Sequence, residues 1–174
     1  LARIPYADVQ NPDLAPLVAQ ITAERGSVLH LYQMLLHSPT VTRGWLAHLT
    51  GIRQHSTLPA HLRELVIMRV AQLNHAPYEA DQHAPIARKE GVTQAQLDAL
   101  QQWESSDLFD AKTRATLAYT DAMTRHVQVA DAVFAAVQTH YPAQQLVELT
   151  ATIATYNMVS RFLEALQVHS HDAR

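Results

Sequence analysis

Residues 59–91 read PAHLRELVIMRVAQLNHAPYEADQHAPIARKEG, and this stretch decides the fold class. Pro59 suits a first helical turn, where its missing N–H would have no partner in any case. From there Leu62, Leu65, Val66, Ile67, Met68, Val70, Ala71 and Leu73 leave almost no polar side up to about Asn74. A helix that is apolar all round is a buried one, so this segment is expected at the centre of the protein. Asn74 to Pro77 make a bend. A second helix then runs from about Pro77 to Gly91, a glycine placed for the left-handed residue that ends a helix.

Three polar residues interrupt the apolar pattern at chemically suggestive places. Glu64 lies past the first turn of its helix, where the helix dipole no longer accounts for a carboxylate. Glu79 and His83 stand i, i+4 and share one face of the second helix. With Tyr78 beside Glu79, a phenol, a carboxylate and an imidazole all face Glu64 if the two helices pack antiparallel across the bend. Burial would then raise the Glu64 pKa towards neutrality and suit it to proton exchange. Each residue has a plainer reading. Glu64 can point outward beside Arg63, or pair with Arg69 or Arg161. Glu79 and His83 also fit a solvated helix-surface pair worth about 0.2–0.5 kcal/mol, and Tyr78 a buried phenol with its hydroxyl satisfied.

The run Leu62-Arg63-Glu64-Leu65-Val66-Ile67-Met68-Arg69-Val70, followed by Tyr78-Glu79 and His83, resembles the core of the carboxymuconolactone decarboxylase and alkylhydroperoxidase D (AhpD-like) superfamily. Leu36-His37-Ser38-Pro39, and Tyr156-Asn157-Met158 with Arg161-Phe162, extend the likeness over most of the chain. It implies an all-α, oligomeric bundle of about seven or eight helices with a site between core helices. The peroxidase branch of the superfamily carries Cys-x-x-Cys-x-x-x-His, with a glutamate twelve residues before the first cysteine and a histidine two residues after it. Set against His83, the cysteine positions fall at Ala76 and Glu79, the glutamate at Glu64 and the histidine at Tyr78. Without a thiolate neither a sulfenic acid nor a disulfide can form, so thiol peroxidase turnover by that route is closed to this chain.

What the resemblance implies instead is a cofactor-free acid–base enzyme, a lyase of the carboxymuconolactone decarboxylase kind, acting on a small carboxylated or lactone compound. Glu64, Glu79 and His83 would move protons and Tyr78 would hold a developing oxyanion. Two alternatives stand beside it: a non-enzymatic oligomeric ligand-binding scaffold, and a family-level, peroxiredoxin-type peroxidase, which the absence of cysteine opposes. For the substrate, Arg161 is a candidate carboxylate clamp, unless it pairs with Glu148 or Glu164; His75 in the bend and His37 before Pro39 are further candidates. Glu64, Glu79 and His83 also make a ligand set found at divalent-metal sites. The eleven histidines are scattered without tight ligand spacing, and the expectation is no metal and no cofactor.

Composition sets the outer bounds. A length of 174 residues fits one domain over 1–174. Only 17% of residues are charged, against a usual share of about 25%, which suggests surface buried again in a homo-oligomer. A net charge of −3 gives no basic patch for nucleic acid. No apolar run reaches the roughly 20 residues that span a bilayer, and Leu1–Pro5 does not read as a signal peptide. A cytoplasmic setting is expected.

The other elements follow from punctuation. Residues 1–12 are expected to be extended, lying over a neighbour or the site. A helix capped by Asp13 runs to Gly26, a short one covers Val28–Leu36, and Ser38 caps a third with Pro39 at its first position. Its inner face is Trp45, Leu46, Leu49 and Ile52. Thr93 and Gln96 form a capping box for a helix to about Trp103, with a loop at 104–107. Asp110 caps a helix buried through Leu117, Ala118, Ala122 and Met123. Asp131–His140 and a long helix from Pro142 to about Val168 complete the set, and 169–174 is expected to fray. Leu62-Arg63-Glu64-Leu65 and Leu146-Val147-Glu148-Leu149 echo one another, as an old duplication of a helical unit would.

Overall fold

In the computed structural model, which describes residues 1–173, nine α-helices and no strand are found among the described residues: α1 (Ala15–Arg25), α2 (His30–Leu35), α3 (Pro39–Thr50), α4 (Ala60–Leu73), α5 (Pro77–Lys89), α6 (Gln94–Ala99), α7 (Ala111–His126), α8 (Asp131–Gln138) and α9 (Ala143–Leu166). The all-α expectation holds. The nine include the two short helices, α2 and α6, that the capping and periodicity signals mark, so the expectation of seven or eight is slightly low. The chain gathers into two compact units, one of residues 1–55 with 163–174, the other of residues 56–162.

The second unit is built on α4. Leu62 and every residue from Glu64 to Ala71 are buried, as an apolar circumference requires, and α5 and α7 pack against it. Around Leu65 and Met68 a core gathers Ala87, Val92, Leu97, Leu100, Trp103, Phe109 and Leu117. The predicted caps are in place: Thr93 and Gln96 exchange both bonds of a capping box, and the Asp110 side chain accepts from Thr113 N at 2.8 Å. After α6 the chain tightens into a 3-10 segment, Leu100–Ser105, broken at Gln102 (φ −121°, ψ 39°), so the expected regular helix to Trp103 stops early. On α7 the fully buried positions are Thr116, Leu117, Tyr119, Thr120 and Thr124; Ala118, Ala122 and Met123 are only half-buried.

Helices α4 and α5 end in the same way. Ala76 N bonds back to Ala71 O and His75 N to Gln72 O after α4; Val92 N bonds to Ala87 O and Gly91 N to Arg88 O after α5. This is the Schellman closure, which needs a left-handed residue. Gly91 supplies it at φ 101°, but after α4 the residue is His75, at φ 51°. A side chain there costs about 1–2 kcal/mol, partly offset by the greater backbone entropy glycine would lose on folding. His75→Gly is therefore expected to stabilise the protein by about 0.5–1 kcal/mol, read as a raised urea midpoint at unchanged slope.

In the first unit Ser38 caps α3 through Val41 N, and Trp45, Leu46, Leu49 and Ile52 are buried as expected. Two expectations are corrected. Asp13 does not cap α1: it sits in a 3-10 turn, Pro12–Leu14, and Asn11 accepts from its N–H. The segment after Val168 is not frayed up to Asp172, because Tyr6 donates to Asp172 Oδ2 at 2.6 Å and His169 N donates to the same oxygen. The N-terminal residues lie along their own unit, with Arg3 N bonded to Leu166 O and Ala7 N to Gln33 O. Among the described residues no helix is long and apolar enough to cross a membrane.

Candidate active site

The antiparallel turn from α4 into α5 brings Glu64 and His83 together across nineteen residues of sequence: His83 Nδ1 lies 2.7 Å from Glu64 Oε2. A carboxylate only accepts, so Nδ1 carries the proton, and a proton gained or lost by the imidazole passes through Nε2. The Tyr156 ring of α9 stands edge-on to the imidazole, 5.1 Å between centroids, fixing its plane. On the other side Arg63 Nε donates to Glu64 Oε1 at 3.2 Å. Glu64 is wholly inaccessible, Glu79 is 2% exposed and His83 7%. These are not residues of a solvated helix face.

The electrostatics overturn one expectation. Burial pushes the Glu64 carboxyl up, but the His83 hydrogen bond, the His83 charge and Arg63 together outweigh it, so its pKa lies below the ordinary value of 4.5 rather than near neutrality. Glu64 is therefore a fixed anion that orients the imidazole. Because its folded pKa is depressed, its contribution to stability is fully present above 4.5 and is lost as pH falls through the folded value. Glu64→Gln is expected to cost about 1.5–3 kcal/mol at neutral pH, the worth of a charge-assisted hydrogen bond. The gap from the wild type should narrow on acidification below 4.5; urea denaturation across that range measures it, and a gap that widens would contradict the assignment.

Glu79 shares the α5 face with His83, and its Oε2 accepts a short hydrogen bond from the Ser160 hydroxyl of α9. Ser160 Oγ also lies 2.9 Å from the Tyr156 carbonyl. A hydroxyl has one proton and two lone pairs, so Ser160 can follow Glu79 through both of its states. It donates to the carboxylate, or accepts from the protonated carboxyl while turning its own proton to the Tyr156 carbonyl. Sequence reading passed over Ser160. Its one signal was a small polar residue four positions after Tyr156, within the late stretch that carries the family likeness. Tyr78 is buried, 3% exposed, in the first turn of α5.

Of the three residues expected to bind substrate, Arg161 and His75 belong to the second unit and His37 to the first. Arg161 is exposed, and its Nη1 donates to Asn157 O and Oδ1 on its own helix at 3.0 and 2.8 Å, rather than to Glu148 or Glu164. His75 is exposed at the bend and lines a groove with Arg69, Gln72 and Arg125. His37 belongs to the first unit, where its Nε2 is 2.7 Å from Pro5 O. Neither Arg161 nor His75 bonds to Glu64, Glu79 or His83. The echo of the α4 motif in α9 is incomplete: Glu148 accepts from Thr57 N and Oγ1, with no imidazole opposite. Among the described residues no cluster of three or more His, Asp or Glu side chains is placed to hold a metal ion.

An all-helical bundle carrying a buried carboxylate–imidazole pair in a chain without cysteine has the AhpD-like fold. The segment that carries the pair, residues 39–122, matches the carboxymuconolactone decarboxylase family and belongs to it. The chain is 32% identical over 127 residues to the uncharacterized protein YnjA of Escherichia coli K12, covering 72% of this chain and 66% of that one, about two thirds of the relative's length. In fold it is similar to the alkylhydroperoxidase AhpD core of an uncharacterized peroxidase-related protein from Ralstonia eutropha JMP134, with a TM-score of 0.83, 18% identity and coverage of 98% and 93%. The debrominase Bmp8 in complex with 2,3,4-tribromopyrrole is similar too, with a TM-score of 0.81, 18% identity and coverage of 96% and 90%.

Proposed function

We propose that this protein is a cofactor-free acid–base enzyme of the carboxymuconolactone decarboxylase kind, acting on a small carboxylated or lactone compound. The observation that carries the reading is the buried Glu64–His83 contact at 2.7 Å, with Glu79 on the same helix face. Loss of CO2 from a carboxylated unsaturated lactone leaves an electron pair that must delocalise onto the lactone carbonyl oxygen and then be quenched by a proton on carbon. Tyr78 serves as the donor to that oxyanion. His83, oriented by Glu64, and Glu79, accompanied by Ser160, carry the proton. The same reading includes a homo-oligomer, supported by the 17% charged fraction, and a cytoplasmic setting.

The experiment is a panel of γ-carboxylated butenolides assayed for CO2 release and for uptake of solvent deuterium into the product, beside a hydroperoxide assay with a dithiol reductant. Lactone-dependent turnover with no dithiol-dependent peroxide consumption is the expected result. Sustained dithiol-dependent peroxide reduction would overturn it in favour of a peroxidase. Binding of the lactones without CO2 release or exchange would establish the ligand-binding scaffold instead.

A further inference from the structure

Outside the Glu64–His83 pair, a groove of about 610 Å³ opens where α4 ends, lined by Arg69, Gln72, Leu73, His75, Gln101 and Arg125. That volume falls within the range of small-molecule sites. Three features of these residues point to a ligand in the groove.

The first is a surplus cation. Asp121 is already answered by Arg69, whose Nε and Nη2 each donate to it at 2.7 Å, and Asp121 Oδ2 also accepts from Trp103 Nε1. Arg125, four residues along α7, comes no nearer than 4.0 Å to that oxygen, with its side chain 54% exposed. Arg69 itself is committed, since its Nη1 donates to Leu100 O and Gln101 O. The guanidinium that faces the groove with donors to spare is therefore that of Arg125. Part of its worth lies in complementing the C-terminal end of α7, but that function does not require a groove.

The second is Gln72, whose Oε1 is buried without a hydrogen-bond donor. Such an acceptor is costly to leave unmet, and Gln72 is among the residues that line the groove. The third is His75, held at φ 51° where α5 uses a glycine for the same closure. The chain carries backbone strain to keep an imidazole at the groove's rim, and strain of this kind clusters at ligand sites.

We propose that this groove binds a small hydroxycarboxylate, with its carboxylate on Arg125 and His75 and its hydroxyl donating to Gln72 Oε1. This site stands independently of the acid–base reading of Glu64, Glu79 and His83. A guanidinium gives planar, charge-assisted recognition of a carboxylate, and an amide oxygen distinguishes a hydroxyl from hydrogen, because the analogue lacking the hydroxyl leaves the acceptor unmet.

The test compares L-malate with succinate, which lacks only the hydroxyl, on the full chain, by titration followed through amide chemical shifts. Malate is expected to give saturable shifts at residues 69–76 and at Gln101 and Arg125, with succinate binding about tenfold more weakly. Arg125→Gln, at a side chain already exposed and not needed to neutralise Asp121, is expected to weaken both acids by about tenfold or more. Gln72→Leu should abolish the preference for malate while leaving succinate unchanged. The absence of saturable shifts with either acid, or binding that survives Arg125→Gln undiminished, overturns the proposal. Equal affinity for malate and succinate in the wild type removes Gln72 from it and overturns the hydroxyl assignment.

Discussion

His83→Asn is expected to lower lactone-dependent turnover by about 10²- to 10⁴-fold, the usual worth of a positioned acid–base group, while leaving the protein folded. The substitution is chosen for its geometry. Asparagine places an amide N–H close to where Nδ1 stands, so Glu64 Oε2 keeps a donor in place of the 2.7 Å contact. It offers nothing at Nε2, the only nitrogen through which the imidazole can take up or deliver a proton once Nδ1 is committed. His83→Ala would be a poorer experiment, because it strands a buried carboxylate with Arg63 alone, a change that costs about 3–5 kcal/mol and confounds chemistry with unfolding. The measurement is kcat/KM for CO2 release as a function of pH, beside a urea midpoint. Loss of rate at a preserved midpoint, with the pH dependence flattened, is the expected pattern. An unchanged rate would make the pair structural and withdraw His83 from the mechanism.

What the sequence exposed and what it concealed differ by the range of the interaction. The α4–α5 hairpin was legible because its signals are local: a circumference without polar residues, Pro59 and Pro77 at the entries and Gly91 at the exit. Gly91 takes the left-handed conformation assigned to it, at φ 101°. The caps Ser38, Thr93 and Asp110 were legible for the same reason. The break at Gln102 was not, because what steadies it comes from α7: Arg114 donates to the carbonyls of Trp103, Glu104 and Ser106, and no pattern around residue 102 announces it. Within the site, Glu79 and His83 could be placed on one face by counting, whereas the depression of the Glu64 pKa depends first on the His83 imidazole, which only the fold brings beside it, and then on its sequence neighbour Arg63. Ser160 lies 81 positions from Glu79. The anchoring of Asp172 likewise depends on Tyr6, 166 positions away.

Arg69→Met is expected to cost about 3–5 kcal/mol, the penalty for breaking a buried ion pair on one side. The pair is bidentate, at 2.7 Å for both contacts, with the arginine side chain 5% and the aspartate 13% exposed. Removing the guanidinium leaves Asp121 with Trp103 Nε1 at 3.2 Å and deprives the Leu100 and Gln101 carbonyls of a donor. Arg125 cannot replace it without ordering an exposed side chain now 4.0 Å away. The loss reaches the candidate site through the rotation of α4. Arg69 lies five residues beyond Glu64, about 140° round the helix, so it pins the side of α4 turned away from His83 to α7 and the 3-10 segment. Urea unfolding followed by tryptophan fluorescence reads the effect directly, since Trp103 shares the carboxylate. Adding Asp121→Leu removes the stranded charge, and the double variant is expected to recover part of the loss. A single variant that loses less than about 1 kcal/mol, the range of an exposed pair, would show that the ion pair is replaceable and that packing alone sets the orientation of α4.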